Sequence, residues 1–150
     1  MASSAFAPNG WIPLRFTCDG ENVSPPLAWY DPPSNCRGFA LVCSDPDAPG
    51  GIWYHWAIYD IPPATRDLPE NWSRAGPVLP QAVNDFRNRG YGGPCPPRGS
   101  SPHHYHFQLY ALGVAQLGVN QPAHCRDVER AARSRAIASA ELIGLYARAR

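Results

Sequence analysis

Gly38–Ile61 reads GFALVCSDPDAPGGIWYHWAIYDI, and this stretch decides the fold class. Gly38–Ser44 is a short continuous apolar run, the pattern of a buried strand. Trp53–Ile61 alternates instead, with Trp53, His55, Ala57 and Tyr59 on one expected face and Tyr54, Trp56 and Ile58 on the other. Between them Asp45-Pro46-Asp47-Ala48-Pro49 sets two short acids in a proline-stiffened turn. Two strands joined by an acid-bearing turn predict a β protein with polar groups gathered at its strand ends.

Working outward, His103–Leu112 (HHYHFQLYAL) repeats the alternation, with His103, Tyr105, Phe107 and Leu109 on one side and His104, His106, Gln108 and Tyr110 on the other. Residues 11–17 read as a first strand, and Cys18–Asn22 as a turn. Ser24–Trp29 should be extended, because a residue that precedes proline is pushed out of the helical region. Residues 62–102 are rich in Pro and Gly, with a short strand expected over Val78–Val83. Connections of this length are uncommon in compact domains and are functional or disordered. From Ala123 the pattern changes: Val128, Ala132, Ile137, Leu142, Ile143 and Tyr146 fall at roughly helical spacing, predicting one or two amphipathic helices with a break near Ser134. Strands first and helices last imply one mainly β domain over residues 1–150, a sandwich with C-terminal α-helices.

Composition narrows the function. A formal net charge of +1 argues against a nucleic-acid or membrane-surface role. No apolar run reaches membrane-spanning length, and Met1–Phe6 lacks the basic and hydrophobic regions of a signal peptide, so a cytoplasmic location without stable membrane insertion is expected. Eighteen Pro and thirteen Gly would suggest disorder alone, but five Trp, seven Tyr and five Phe make them turn punctuation in a folded chain. Five cysteines, an odd number without a CxxC pair, argue against a disulfide framework or structural zinc. Cys18 and Cys95 lie in loops whose proximity the sequence leaves open.

The chemistry gathers around the acids and histidines. Asp45 and Asp47 can accept from imidazole N–H groups; the plain alternative is that they build the turn through bonds to backbone amides. His55 and His103 each open a strand beside a Gly- and Pro-rich loop. Brought together near the two acids, charged imidazoles, the Tyr105 hydroxyl and the Gly92-Gly93 amides would hold a small oxyanion such as phosphate. A metal site from two His and a carboxylate ranks below this, since the one His-x-His pair, His104/His106, is expected on the other face. Nucleophilic use of Cys95 ranks lower still, and no Gly-x-Ser-x-Gly elbow is present.

Four motifs resemble the phosphatidylethanolamine-binding protein family in order along nearly the whole chain. They are Asp19–Trp29 (DGENVSPPLAW), Asp45–Pro49 with Trp53–Trp56, Gly90–Pro97 through Leu112, and Glu141–Tyr146 (ELIGLY), the last resembling its C-terminal helix. The short opening, the compact length and Asn84-Asp85-Phe86 are most similar to the bacterial and archaeal branch, often labelled Raf kinase inhibitor-like. The resemblance implies two antiparallel sheets, C-terminal helices and an anion pocket formed by Asp45, Asp47, Pro49, Trp53, His55, Gly93, Pro94, His103 and Tyr105. His104 stands where relatives often carry Arg. The resemblance also implies a cis peptide at Gly51–Ile52 and, for the prokaryotic type, a homodimer.

The expected function is a non-catalytic binding protein for a phosphate-bearing small molecule, headgroup or phosphopeptide, with no cofactor and no metal. The alternatives are a hydrolase using the His/Asp pocket, and an inhibitor of a protein partner, a kinase or protease, acting through residues 62–102.

Overall fold

The computed structural model describes residues 1–150. In chain order its elements are β1 (Leu27–Ala28), β2 (Gly38–Asp45), β3 (Trp53–Ile61), β4 (Asp67–Leu68), α1 (Trp72–Ala75), β5 (His103–Leu112), α2 (Cys125–Arg135) and β6 (Ala136–Tyr146). Four strands form an antiparallel sheet in the order β3-β2-β5-β6, and β1 pairs antiparallel with β4 in a second, small sheet.

Strand β2 is interior to the main sheet and is covered on both faces, which is why its sequence is continuously apolar rather than alternating. On one face Phe39, Leu41 and Cys43 pack with Trp56, Phe107 and Leu142 under a layer that includes Phe6, Ile12, Phe16 and the small-sheet residues Leu27 and Leu68. On the other, Ala40 and Val42 meet Ala57, Tyr59 and Tyr110 beneath Cys125, Val128 and Ala132 of α2. Those three helical residues recur at the spacing of one buried stripe. His124 starts α2 with a capping box, accepting from Arg126 N while the Asp127 carboxylate accepts from His124 N. Glu129 then accepts from both the Tyr54 and Tyr110 hydroxyls, at 2.8 and 3.0 Å, and so ties the helix to β3 and β5.

Several expectations are corrected. Residues 11–17 are not a strand: Trp11 makes one parallel bridge to Leu145, and Leu14–Phe16 is a 3-10 turn behind Pro13. The C-terminal helix ends at Arg135, and Ala136–Tyr146, Glu141–Tyr146 included, is a strand paired along β5 from Leu112↔Ala136 to His103↔Tyr146. Leu142, Gly144 and Tyr146 are buried at a period of two, and pairing with β5 outweighs the helix preference of the Ala- and Glu-containing segment. Val78–Val83 forms only isolated bridges at Gln81 and Val83. The one cis peptide bond is Gln121–Pro122, so Gly51–Ile52 is trans, and Gly51 turns the chain with a φ of +108° instead.

Two corrections shape the site. Cys18 and Cys95 form a disulfide, with Cα atoms 5.4 Å apart, across 77 positions of sequence. In β3 the pairing passes from Cys43↔Trp56 to Ser44↔Tyr54, so His55 is the extra residue of a β-bulge. The bulge breaks the expected alternation. Ala57 and Tyr59 pack with Tyr54 against the helix, whereas His55 turns to the opposite layer and meets Tyr105.

Candidate functional site

The C-terminal end of β2, the N-terminal ends of β3 and β5, and the residue 92–97 loop meet around a cavity of about 290 Å³. Of the expected site residues, Asp45, Pro49, Trp53, His55, His103 and Tyr105 line it.

Asp45 and His103 are both buried, and His103 Nδ1 lies 2.7 Å from Asp45 Oδ2. That contact makes Nδ1 the donor and fixes the ring orientation, leaving Nε2 unbonded to protein. Asp45 Oδ1 accepts from Asp47 N at 2.8 Å, so the same carboxylate also builds the turn. His55 sits in a reciprocal pair with Gly92: its Nδ1 is 2.6 Å from Gly92 O, and Gly92 N donates to His55 O at 2.9 Å. Burial pushes the His55 imidazole below its ordinary pKa, with the Gly92 carbonyl opposing. Neutral His55, with its proton on Nδ1, presents Nε2 as an acceptor.

Tyr105 lies between the two imidazoles, with ring centroids 5.2 Å from His55, edge-on, and 6.5 Å from His103, stacked. Its side chain is 0 % exposed, and its hydroxyl has no hydrogen-bond partner. Burial raises its pKa, so it stays a neutral donor. Buried hydroxyls are ordinarily paired, so this unpartnered one at a cavity wall is an exception. Trp53, 37 % exposed, forms one side of the mouth with Phe86, their rings edge-on at 5.3 Å.

The other expected residues stand differently. Asp47 Oδ2 accepts from His104 N at 2.9 Å and His104 Nδ1 at 2.7 Å, which holds the Asp47 carboxyl below its usual range. This pair sits outside the cavity, at its rim, and gives His104 a partner. Gly93 N donates to Asn22 Oδ1 at 2.8 Å, and Pro94 O accepts from Cys18 N at 3.1 Å. A Cβ on Gly93 would lie 2.2 Å from Phe16 O, so only glycine permits this approach. The Gly92 and Gly93 amides are thus both engaged within the protein, and neither is free to bind an anion as expected.

Six further residues line the cavity, among them Phe86, Cys95 and Arg148. Phe86 is placed by an Asn84-centred turn, in which Asn84 Oδ1 accepts from Phe86 N and Asn88 N while Nδ2 donates to Gly90 O. Arg148 is the one cationic side chain in the wall. Its Nη2 donates to Asp19 Oδ1 at 3.0 Å, its Nη1 lies 3.6 Å from Cys95 Sγ, and its buried Nε has no partner. Asp19 also accepts from the Tyr146 hydroxyl at 2.6 Å; that bond, then Arg148, holds its carboxyl low. Arg148 lies in a tail, Ala147-Arg148-Ala149-Arg150, with no pattern to distinguish it from a solvated terminus. Nowhere do three or more His, Cys, Asp or Glu side chains converge as a metal site, and no helix is long and apolar enough to cross a membrane.

Comparison with known proteins agrees with this architecture. The chain is 46% identical over 152 residues to a UPF0098 protein of Methanothermobacter thermautotrophicus, covering 99% of this chain and 98% of that one. It is 44% identical over 148 residues to a UPF0098 protein of Aquifex aeolicus, covering 97% and 86%. The crystal structure of Escherichia coli YbcL, described as a member of the mammalian PEBP family, superimposes with a TM-score of 0.90 at 33% identity, over 97% of this chain and 96% of that one. The phosphatidylethanolamine-binding protein family model matches residues 2–147, and the chain belongs to that family.

Proposed function

We propose that the chain is a non-catalytic binding protein whose cavity takes a small phosphate-bearing ligand. The observation that carries the reading is the partnerless, buried Tyr105 hydroxyl, set between two orientation-locked imidazoles in a cavity whose only cation is Arg148. Phosphate oxygens would accept from Arg148 and from the Tyr105 O–H, the charge-assisted contact supplying most of the attraction. Neutral His55 is suited to accept from a ligand O–H or N–H, which favours a monoprotonated phosphate or a headgroup carrying a donor over a bare dianion. Trp53, Phe86 and Pro49 would cover the apolar part of the guest. Cys95, the one cysteine in the wall, is held in the disulfide and so is not available as a thiolate nucleophile, which supports binding over thiol-based turnover. The same disulfide favours an oxidising compartment over the cytoplasm expected from sequence.

The test is an amide-resolved NMR titration with phosphate and phosphoethanolamine, repeated on His103→Ala and Arg148→Gln. Saturable shifts at Asp45–His55 and Gly92–Tyr105, lost in both variants, support the reading. An absence of shifts at millimolar ligand overturns it.

A second reading, inhibition of a protein partner through residues 62–102, draws on Gly76–Pro80. There Val78 stands 101% exposed between Pro77 and Pro80, in an irregular stretch without internal backbone bonds. Proteolytic or kinase assays with Val78→Asp, which leaves the cavity intact, separate this reading from the first.

A further inference from the structure

The residues around the disulfide do more than close a loop. Cys95 is exposed and lines the cavity, and its sulfur lies 3.6 Å from Arg148 Nη1. Arg148 is anchored by Asp19, the chain neighbour of Cys18. We propose that Cys18–Cys95 is a thiol-exchange site that sets the anion affinity of the cavity, with small thiols and dithiols as its reactants. The affinity half of this proposal rests on the anion reading above.

The wall of the cavity does not depend on the crosslink. Cys18 N donates to Pro94 O at 3.1 Å, Gly93 N to Asn22 Oδ1 at 2.8 Å and the Tyr91 hydroxyl to Phe16 O at 2.7 Å, so the two loops stay joined when the S–S bond is broken. Reduction therefore changes chemistry rather than shape. A thiolate of a small dithiol attacks one sulfur, the S–S bond breaks, and its electron pair leaves on the other cysteine. The reagent's second thiolate then attacks the mixed disulfide, so the dithiol is oxidised to a cyclic disulfide. Two electrons and two protons are delivered to Cys18 and Cys95.

The consequence follows from charge. In the oxidised chain the sulfur facing Arg148 is neutral, and beyond Asp19 the guanidinium is free to attract a ligand. In the reduced chain a Cys95 thiol stands beside a cation, which stabilises its thiolate. That thiolate is then a second anion on the same guanidinium and competes with the ligand. The oxidised chain binds; the reduced chain releases. The remaining cysteines lie apart from this chemistry: Cys43 and Cys125 are buried, with thiols pushed up by burial, and Cys36 donates to Gly38 O outside the cavity.

The experiment has two arms on the full chain. In the first, iodoacetamide labelling of Cys95 in Cys18→Ser is followed against pH by peptide mass spectrometry, with and without Arg148→Gln. The expected midpoint lies about one pH unit or more below the ordinary thiol value of about 8.5, and Arg148→Gln restores it. In the second, the Kd for inorganic phosphate is measured by NMR at pH 8 for the oxidised chain, the dithiothreitol-reduced chain, Cys18→Ser and Cys95→Ser. The reduced chain and Cys18→Ser should bind about tenfold more weakly, the loss of one charge-assisted contact, while Cys95→Ser, which cannot form the thiolate, should lose less affinity than Cys18→Ser. The reduced wild type guards against a folding defect in the variants. An ordinary Cys95 midpoint, or equal phosphate affinity in both redox states, overturns the proposal. If neither state takes phosphate, the anion reading and the affinity half fall together, and the labelling arm alone decides the exchange site.

Discussion

Replacing Tyr105 with Phe removes one oxygen atom from the cavity wall and leaves the ring in its packing between His55 and His103. The hydroxyl is buried and accepts or donates no hydrogen bond within the protein, so folding strips it of water without return. An unsatisfied buried hydroxyl costs about 1–3 kcal/mol. At the low end of that range, the expected gain in stability for Tyr105→Phe is about 1 kcal/mol. For a chain of this length that corresponds to a rise of roughly 2–4 °C in Tm. Phosphate affinity should move the opposite way, falling about tenfold, because the ligand loses a donor worth roughly 1.4 kcal/mol. The assay is thermal unfolding with and without phosphate, followed by titration of each protein. The opposite signs are the point: a structural hydroxyl would lose stability on removal and leave binding alone. A Tyr105→Phe chain that melts lower than the parent and binds phosphate equally well refutes the reasoning.

Four other outcomes follow from the geometry. Gly93→Ala drives a Cβ against the Phe16 carbonyl, and should cost at least about 2 kcal/mol in urea unfolding while separating the residue 92–97 loop from Phe16. Glu129→Gln takes the charge from the acceptor of two tyrosine hydroxyls, and should lower the urea midpoint by the equivalent of about 1–2 kcal/mol without changing ligand affinity. Asp45→Asn removes the acceptor that orients His103; a loss of phosphate binding with intact amide dispersion is expected, and unchanged affinity would count against the orienting role. The His55 pKa is lowered in the folded chain, so between that value and the unfolded one near ~6.5 the unfolded state holds more protons. Stability should therefore be full above pH ~6.5 and decline as pH falls below it, a slope that His55→Gln flattens in urea titrations from pH 5 to 8.

Much of the fold was legible locally. The apolar run of β2 and the alternation of β5 declare themselves because burial on two faces or one leaves a direct trace in the order of side chains. Asp45, Trp53, His55, His103 and Tyr105 were likewise readable as a group, since each stands at or near a strand end beside a turn, and the structure brings them to one cavity with Pro49, which the family resemblance had added. What only tertiary structure decided depends on partners distant in sequence. Ala136–Tyr146 could serve a helix or a strand, and the free edge of β5 made it a strand. The bulge that turns His55 toward Tyr105 is a matter of register between β2 and β3, invisible to a strict two-residue period. Asp47 was claimed by His104, and the Gly92 and Gly93 amides by His55 and Asn22, because a side chain bonds to whatever the packed chain places within 3 Å of it. The Cys18–Cys95 pair and Arg148 carry no local signature at all. Their chemistry arises where the 14–22 segment, the residue 92–97 loop and the C-terminal tail converge, and periodicity along a chain records which face is buried, not which distant residue is buried against it.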